Sequence, residues 1–175
     1  MARKWWNLLV SVGPKFAYLP NAQKTLLLTK PEKIAEAQEV FKDSAGNITT
    51  EGKRYLGGAL GTEPFSNTLS QTQVAQWILE VECLARFSKT QPQAALAVFT
   101  HGLTSKWTQA LRVAAVLSGQ HLVGLEKVIC EKLIPALTNQ PTQTQDVRNL
   151  LALQARLGGM GITNPIRACK EQREM

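Results

Sequence analysis

The chain has 175 residues, 44% of them hydrophobic, so it can form one domain or two small ones and bury most of its apolar surface. No apolar run approaches the length of a membrane span, and the first residues lack the apolar region of a signal peptide, which favours a cytoplasmic or nuclear protein without a membrane partner. The net charge of +7 is spread along the chain and favours a polyanionic partner, while three widely spaced cysteines favour reduced thiols over disulfides.

The first predicted element is a helix from Ala2 to Val12, and Gly13-Pro14 ends it. Apolar residues recur in this helix at helical spacing, namely Trp5, Leu8, Leu9 and Val12. For Trp5 and Trp6 the pattern favours packing in a core, and stacking on nucleic-acid bases is the alternative.

A small layer of strands with one short helix is predicted next. Leu26 to Thr29 is a short apolar run typical of a buried strand, and Asn47 to Thr50 is predicted as a strand that leads into a hairpin. Between them, Thr29-Lys30-Pro31-Glu32 has the form of a capping box with proline in the first turn and predicts a helix. We expect residues 21–28 and 53–60 to lie side by side as strands.

From Ser66 onward the pattern is helical. Ser66 or Ser70 is predicted to cap the first of these helices, and Thr90-Gln91-Pro92 ends it and begins the second. The apolar stripe of the first helix consists of Val74, Trp77, Ile78, Val81, Leu84 and Ala85. The stripe of the second consists of Leu96, Phe99, Leu103, Trp107 and Leu111.

Further helices follow. A third helix is predicted to bend or end near Pro135, and a short fourth runs from Thr144 to Leu153. The glycines of Gly158-Gly159-Met160-Gly161 indicate a loop, after which Asn164-Pro165 begins a last helix.

Together these elements predict an α+β fold that is mostly α. A small layer of strands and a short helix occupies residues 1–62, and an antiparallel helical bundle occupies residues 63–175.

Three motifs follow one another along the chain: Asn21-Ala22-Gln23-Lys24-Thr25-Leu26-Leu27, Lys53-Arg54-Tyr55-Leu56-Gly57, and the segment Ala155-Arg156-Leu157-Gly158-Gly159-Met160-Gly161-Ile162-Thr163-Asn164-Pro165. In this order they resemble the reverse transcriptases of retroelements, in particular the non-long-terminal-repeat kind. In that family the palm continues into an Asn-x-x-Lys-Thr segment, a Leu-Gly hairpin at the primer terminus and a helical thumb. The resemblance implies that residues 1–62 are the C-terminal part of a palm and residues 63–175 are a thumb.

The chain departs from that family where the catalytic metal ions bind. Nucleotidyl transfer by two metal ions needs clustered carboxylates that hold the cations about 4 Å apart. The family carries them upstream of the Asn-x-x-Lys-Thr segment, whereas the aspartates of this chain are Asp43 and Asp146, far apart in sequence. We therefore expect a fragment without a metal site or cofactor of its own, inactive alone, that uses Mg²⁺ only if a complete palm is supplied.

One catalytic candidate remains. The resemblance implies that Lys24 acts as a general acid toward the leaving pyrophosphate, and a strand-edge lysine that blunts aggregation is the favoured alternative. The resemblance also implies a primer-grip-like hairpin at Tyr55, Leu56 and Gly57.

A duplex grip requires basic side chains at turns and on polar helix faces. The predicted nucleic-acid-binding residues are Lys53, Arg54, Lys89, Lys106, Arg112 and Arg156, and a solvated basic face is the alternative. The expected partners are an RNA–DNA or DNA duplex, bound weakly and in a salt-dependent way, and the missing palm of a parent polymerase. The alternative function is a small basic helical interaction module or a nonfunctional translated remnant.

Overall fold

The computed structural model of the protein describes residues 2–42, 47–55, 58–113, 117–140 and 144–174. The chain divides into two compact units, residues 1–53 with 60–65 and residues 54–59 with 66–175. The prediction of an α+β fold that is mostly α is confirmed.

The first unit combines short strands with two helices. The boundary between the units passes through strands β3 and β4. The elements up to that boundary are α1 (Ala2–Val12), β1 (Leu26–Leu28), α2 (Ile34–Val40), β2 (Asn47–Thr49), β3 (Gly52–Tyr55) and β4 (Gly58–Gly61). Strands β1 and β2 pair in parallel, with Leu26 opposite Asn47 and Leu28 opposite Thr49.

The expected pairing of residues 21–28 with residues 53–60 is wrong. Strand β1 takes β2 as its neighbour, and β3 and β4 form a separate two-stranded sheet. The crossover through α2 returns the chain beside β1 in the parallel sense, whereas a short connection pairs β3 with the strand that follows it.

Helix α1 has the predicted bounds, and its buried face overlaps the predicted one in part, since Leu9 and Val12 of the predicted stripe are partly buried. Trp6 is its buried residue, whereas Trp5 and Leu8 of the predicted stripe are 61% and 60% exposed. Trp6 lines a cavity of about 90 Å³ together with apolar residues of β1 and β2. Core packing therefore holds for Trp6, whereas Trp5 borders the same cavity and is largely exposed.

The predicted cap of α2 is also wrong. A 3₁₀ turn over Pro31–Lys33 precedes α2, and Lys30 stands at its N-cap without a side-chain hydrogen bond. The backbone N–H of Thr29 donates instead to the carbonyl of Thr49 at 3.1 Å. Thr29 thus extends the pairing of β1 with β2 and lies before the 3₁₀ turn.

The second unit is helical. Its helices are α3 (Glu63–Ser88), which begins within the first unit, α4 (Pro92–Ala97), α5 (Thr104–Val113), α6 (Val123–Val128), α7 (Ile134–Thr138), α8 (Gln145–Ala152) and α9 (Pro165–Glu174). Helix α3 begins at Glu63, before both predicted caps. Ser66 and Ser70 are therefore buried inside the helix, and neither of them caps it.

Two π-helical turns interrupt these helices. One, Val98–Leu103, joins α4 to α5, and the other, Ile129–Leu133, joins α6 to α7. The second turn ends two residues before Pro135. A proline inside a helix cannot donate a backbone hydrogen bond, and its ring crowds the carbonyl one helical turn earlier. The widened turn accommodates the proline, so the helix does not end there and continues to Thr138.

The hydrophobic core lies in this helical unit. The predicted stripe of α3 is buried, with Ile78 partly so, and the stripe of the second helix is buried at Phe99, Leu103 and Trp107. Leu96 and Leu111 are partly buried and pack against the core, which Ala95 and Ala110 join. The core residues there are Ala95, Phe99, Leu103, Trp107 and Ala110. A spacing of four residues through the π-helical turn keeps them on one face, because that turn holds more residues than an α-helical one.

The last two helices begin as predicted. The hydroxyl of Thr144 accepts from the backbone N–H of Val147, and the side chain of Asn164 accepts from the N–H groups of Ile166 and Arg167 at 2.9 and 3.0 Å. Among the described residues, no helix is long and apolar enough to cross a bilayer.

Candidate nucleic-acid interface

A polar groove of about 540 Å³ lies between α3 and α5 in the helical unit. Arg54, near the end of β3, lines this groove. Polar residues of both helices line it as well, namely Thr72, Gln73, Gln76, Lys106 and Gln109. The apolar faces of α3 and α5 meet below, where Trp77 packs edge-on against Trp107 with ring centroids 6.2 Å apart. Residues beside that seam are polar because they border solvent.

An ion pair crosses the groove. The ammonium of Lys106 lies 2.8 Å from a carboxylate oxygen of Glu80, and these side chains are 52% and 25% exposed. Exposed pairs of this kind contribute little to stability, because water screens them and their side chains are costly to order. Lys106 can therefore exchange Glu80 for an incoming anion.

The groove offers binding groups suited to a polyanion. The guanidinium of Arg54 donates in a planar fork that fits phosphate, and Lys106 supplies a mobile positive charge. The amides of Gln73, Gln76 and Gln109 both donate and accept hydrogen bonds. Such a set contacts sugar and phosphate groups without reading sequence.

The groove brings together two of the six predicted binding residues, Arg54 and Lys106. Lys89 lies in a different cleft of about 820 Å³, between the end of α3 and α7, with Arg86 and Lys132. In that cleft Lys132 is paired with Glu82 at 2.7 Å.

The other three predicted residues are exposed on separate elements. Lys53 lies in the part of β3 that belongs to the first unit, and Arg112 lies in the last turn of α5. Arg156 lies in a 3₁₀ turn, where its Nε donates to the side chain of Gln154 at 2.8 Å. These three residues are not among the described residues that line the groove.

Lys24 ends a 3₁₀ turn over Ala22–Lys24 and is exposed, so it precedes β1 and does not lie on the edge of that strand. In the predicted primer-grip-like hairpin, Tyr55 is 56% exposed at the end of β3, while Leu56 and Gly57 lie outside the described residues.

The carboxylates of the described chain do not gather into a metal-binding group. No group of three or more His, Cys, Asp or Glu side chains that could hold an ion occurs among the residues described. Asp146 is exposed in the first turn of α8, and Asp43 lies outside those residues.

A buried ion pair is the main feature that the sequence analysis missed. The guanidinium of Arg148 on α8 donates to both carboxylate oxygens of Glu126 on α6, at 2.7 and 2.9 Å, and to the carbonyl of Ile162 at 2.7 Å. Asn164 donates to the same carboxylate at 3.0 Å. This network ties α6, α8 and the start of α9 together. The sequence signal was that Arg148 stands three residues before Leu151, a spacing that places both on one face of α8.

The network also sets the protonation of its members. Burial alone lowers the pKa of Arg148, but the hydrogen bonds and charge of Glu126 outweigh burial and the pKa is raised. Burial and the neighbouring Glu126 carboxylate raise the pKa of the Cys130 thiol to about 11. The thiol donates to that carboxylate at 3.3 Å, so Cys130 is protonated and unreactive at neutral pH.

Comparisons with protein-family models, with curated proteins and with solved structures give no match for this chain.

Proposed function

We propose that the chain is a palm-and-thumb portion of a reverse transcriptase-like protein, which holds a primer–template duplex and lacks the two-metal catalytic site. The proposal rests on the order of the three sequence motifs and is supported by the element order, in which a small strand layer precedes a helical unit. The observation that carries it is the α3–α5 groove, where Arg54 of the hairpin and Lys106 of α5 line one cavity.

In this mechanism the groove grips the backbone of an RNA–DNA or DNA duplex. Arg54 donates to one phosphate, and Lys106 moves from Glu80 to another, while the glutamine amides contact sugar oxygens. Each neutralised phosphate releases condensed counterions, so binding is weak and depends on salt. Lys53, Lys89, Arg112 and Arg156 add a diffuse positive field without a shared pocket.

The proposal assigns no DNA synthesis to the chain alone. With a complete palm supplied by a parent polymerase, that palm would hold Mg²⁺, and the exposed ammonium of Lys24 would be free to act on a leaving phosphate. A cytoplasmic or nuclear location agrees with a nucleic-acid partner.

The test measures fluorescence anisotropy of a labelled RNA–DNA hybrid titrated with protein at several salt concentrations. We expect affinity to fall as salt rises, and the double variant R54A/K106A to bind more weakly with a salt slope smaller by about 1 per lost contact. The matched control is R112A/K89A, which removes the same charge outside the groove. No binding at low salt, or equal effects of the two double variants, would refute the groove as the binding site.

A second candidate is a small basic helical interaction module or a nonfunctional remnant. The observation that favours a module is the continuous buried core of the helical unit, which gives that unit the means to fold without a nucleic-acid partner. A cooperative thermal transition combined with no hybrid binding at low salt would support this candidate.

A further inference from the structure

The first unit exposes three aromatic rings near one another. Trp5 of α1, Phe16 and Tyr18 are 61%, 79% and 58% exposed, and with Leu8 they line a groove of about 310 Å³. We call Trp5, Phe16 and Tyr18 the aromatic face. Exposure of large apolar side chains in one place is a common mark of a binding surface.

The backbone holds this face in a preformed shape. After α1 the chain turns through Gly13, and the N–H of Tyr18 donates to the Gly13 carbonyl at 3.0 Å. Gly13 is buried, and a Cβ added there would lie 2.7 Å from the Tyr18 carbonyl oxygen. Ala17 takes a left-handed conformation with φ of 57°. The turn therefore folds Phe16 and Tyr18 back toward α1.

The aromatic face lies in the most basic stretch of the chain. Residues 2–31 contain no acidic residue, and the first one is Glu32. The basic residues of this stretch are Arg3, Lys4, Lys15, Lys24 and Lys30. Lys4 directly precedes Trp5 and Lys15 directly precedes Phe16 in sequence, so two of the three rings are flanked by a basic residue along the chain.

We propose that the aromatic face binds single-stranded nucleic acid, whose bases stack on the rings while its phosphates contact Lys4 and Lys15. Exposed rings stack on any unpaired base, whereas the bases of a duplex are already stacked on one another. A second copy of the chain would bring the same positive charge against this face and be repelled. The inference rests on the proposed nucleic-acid function but uses a surface separate from the α3–α5 groove.

The experiment uses the full chain and a fluorescein-labelled single-stranded oligothymidylate. Trp6, Trp77 and Trp107 are buried, so quenching of exposed tryptophan emission reports on Trp5. We expect salt-dependent binding with quenching, and the variants F16L and Y18L, which keep apolar bulk but remove the ring, to weaken binding by about 5- to 150-fold each. The conservative variants F16Y and Y18F should bind like the wild type, because they keep a ring.

The same titrations separate this inference from the proposed function. F16L should leave binding of the RNA–DNA hybrid unchanged, and R54A/K106A should keep the tryptophan quenching by the single strand that reports on Trp5. The proposal fails if the wild type does not bind the oligothymidylate at low salt, or if F16L and F16Y bind equally well. It also fails if the face instead causes concentration-dependent self-association that F16L abolishes.

Discussion

The helical unit buries a continuous cluster of apolar side chains, in which Phe99 and Trp107 are fully enclosed, whereas in the first unit Trp6 is the buried hydrophobic residue among those described. Burying one large apolar side chain contributes about 1.5–3 kcal/mol, while ordering each residue's backbone costs about 1–2 kcal/mol. The core of the helical unit offsets that cost more fully than the one buried and several partly buried apolar side chains of the first unit. We therefore assign most of the stability to the helical unit, whereas the first unit leaves large apolar side chains such as Phe16 exposed.

The strongest test of this contrast compares two phenylalanines. We expect F99A to reduce the free energy of unfolding by about 3–5 kcal/mol, because Phe99 is fully buried and packs edge-on against Trp107 with centroids 5.6 Å apart. F16A should change it by less than about 0.5 kcal/mol, because Phe16 is 79% exposed. Urea unfolding followed by circular dichroism measures both. Equal effects of the two variants would contradict the assignment of stability to the helical unit.

The next test concerns the buried ion pair. We expect R148M to cost about 3 kcal/mol, because it leaves the Glu126 carboxylate in a largely buried site without its partner. The double variant R148M/E126L should recover most of that stability, since it removes both charges. The control is R167A, which breaks the exposed Arg167–Glu171 pair and should cost less than about 1 kcal/mol. A double variant no more stable than R148M would show that the network contributes by more than its charges.

The smallest expected effect is a dependence of stability on pH. The Cys130 pKa is raised from 9.0 to about 11 in the folded chain, so the unfolded thiol ionises first as pH rises. The contribution of Cys130 is complete below pH 9 and is lost as pH rises toward 11. Over this range we expect the free energy of unfolding of the wild type to fall by roughly 1 kcal/mol more than that of the variant C130A. The difference is small because Cys130 is partly exposed. Parallel pH profiles of the two proteins would contradict the assigned pKa.

Local sequence signals predicted the helices well. The stripe of α3 and the cap at Asn164 depend on neighbours a few residues away, so sequence spacing contains them. The predicted start of α2 was wrong because Thr29 is drawn into pairing with Thr49, a contact across twenty residues of chain. The burial of Trp6 in place of Trp5 likewise depends on what covers α1, which periodicity does not reveal.

The candidate site was only partly accessible from sequence. Arg54 and Lys106 were chosen as basic residues at a turn and on a helix face, but their meeting in one groove depends on the packing of α3 on α5. The Arg148–Glu126 pair joins helices more than twenty residues apart, and nothing in the local pattern identifies its partner.

The π-helical turn at Ile129–Leu133 has a consequence for how this chain can vary. Such a turn holds about one residue more than an α-helical turn, so deleting a single residue there would restore regular winding and not break the helix. The residues after the deletion would keep nearly the same face, because the widened turn already absorbs the extra residue. Ile134 would therefore stay in the core, and a relative shortened by one residue here would need little rearrangement of its interior.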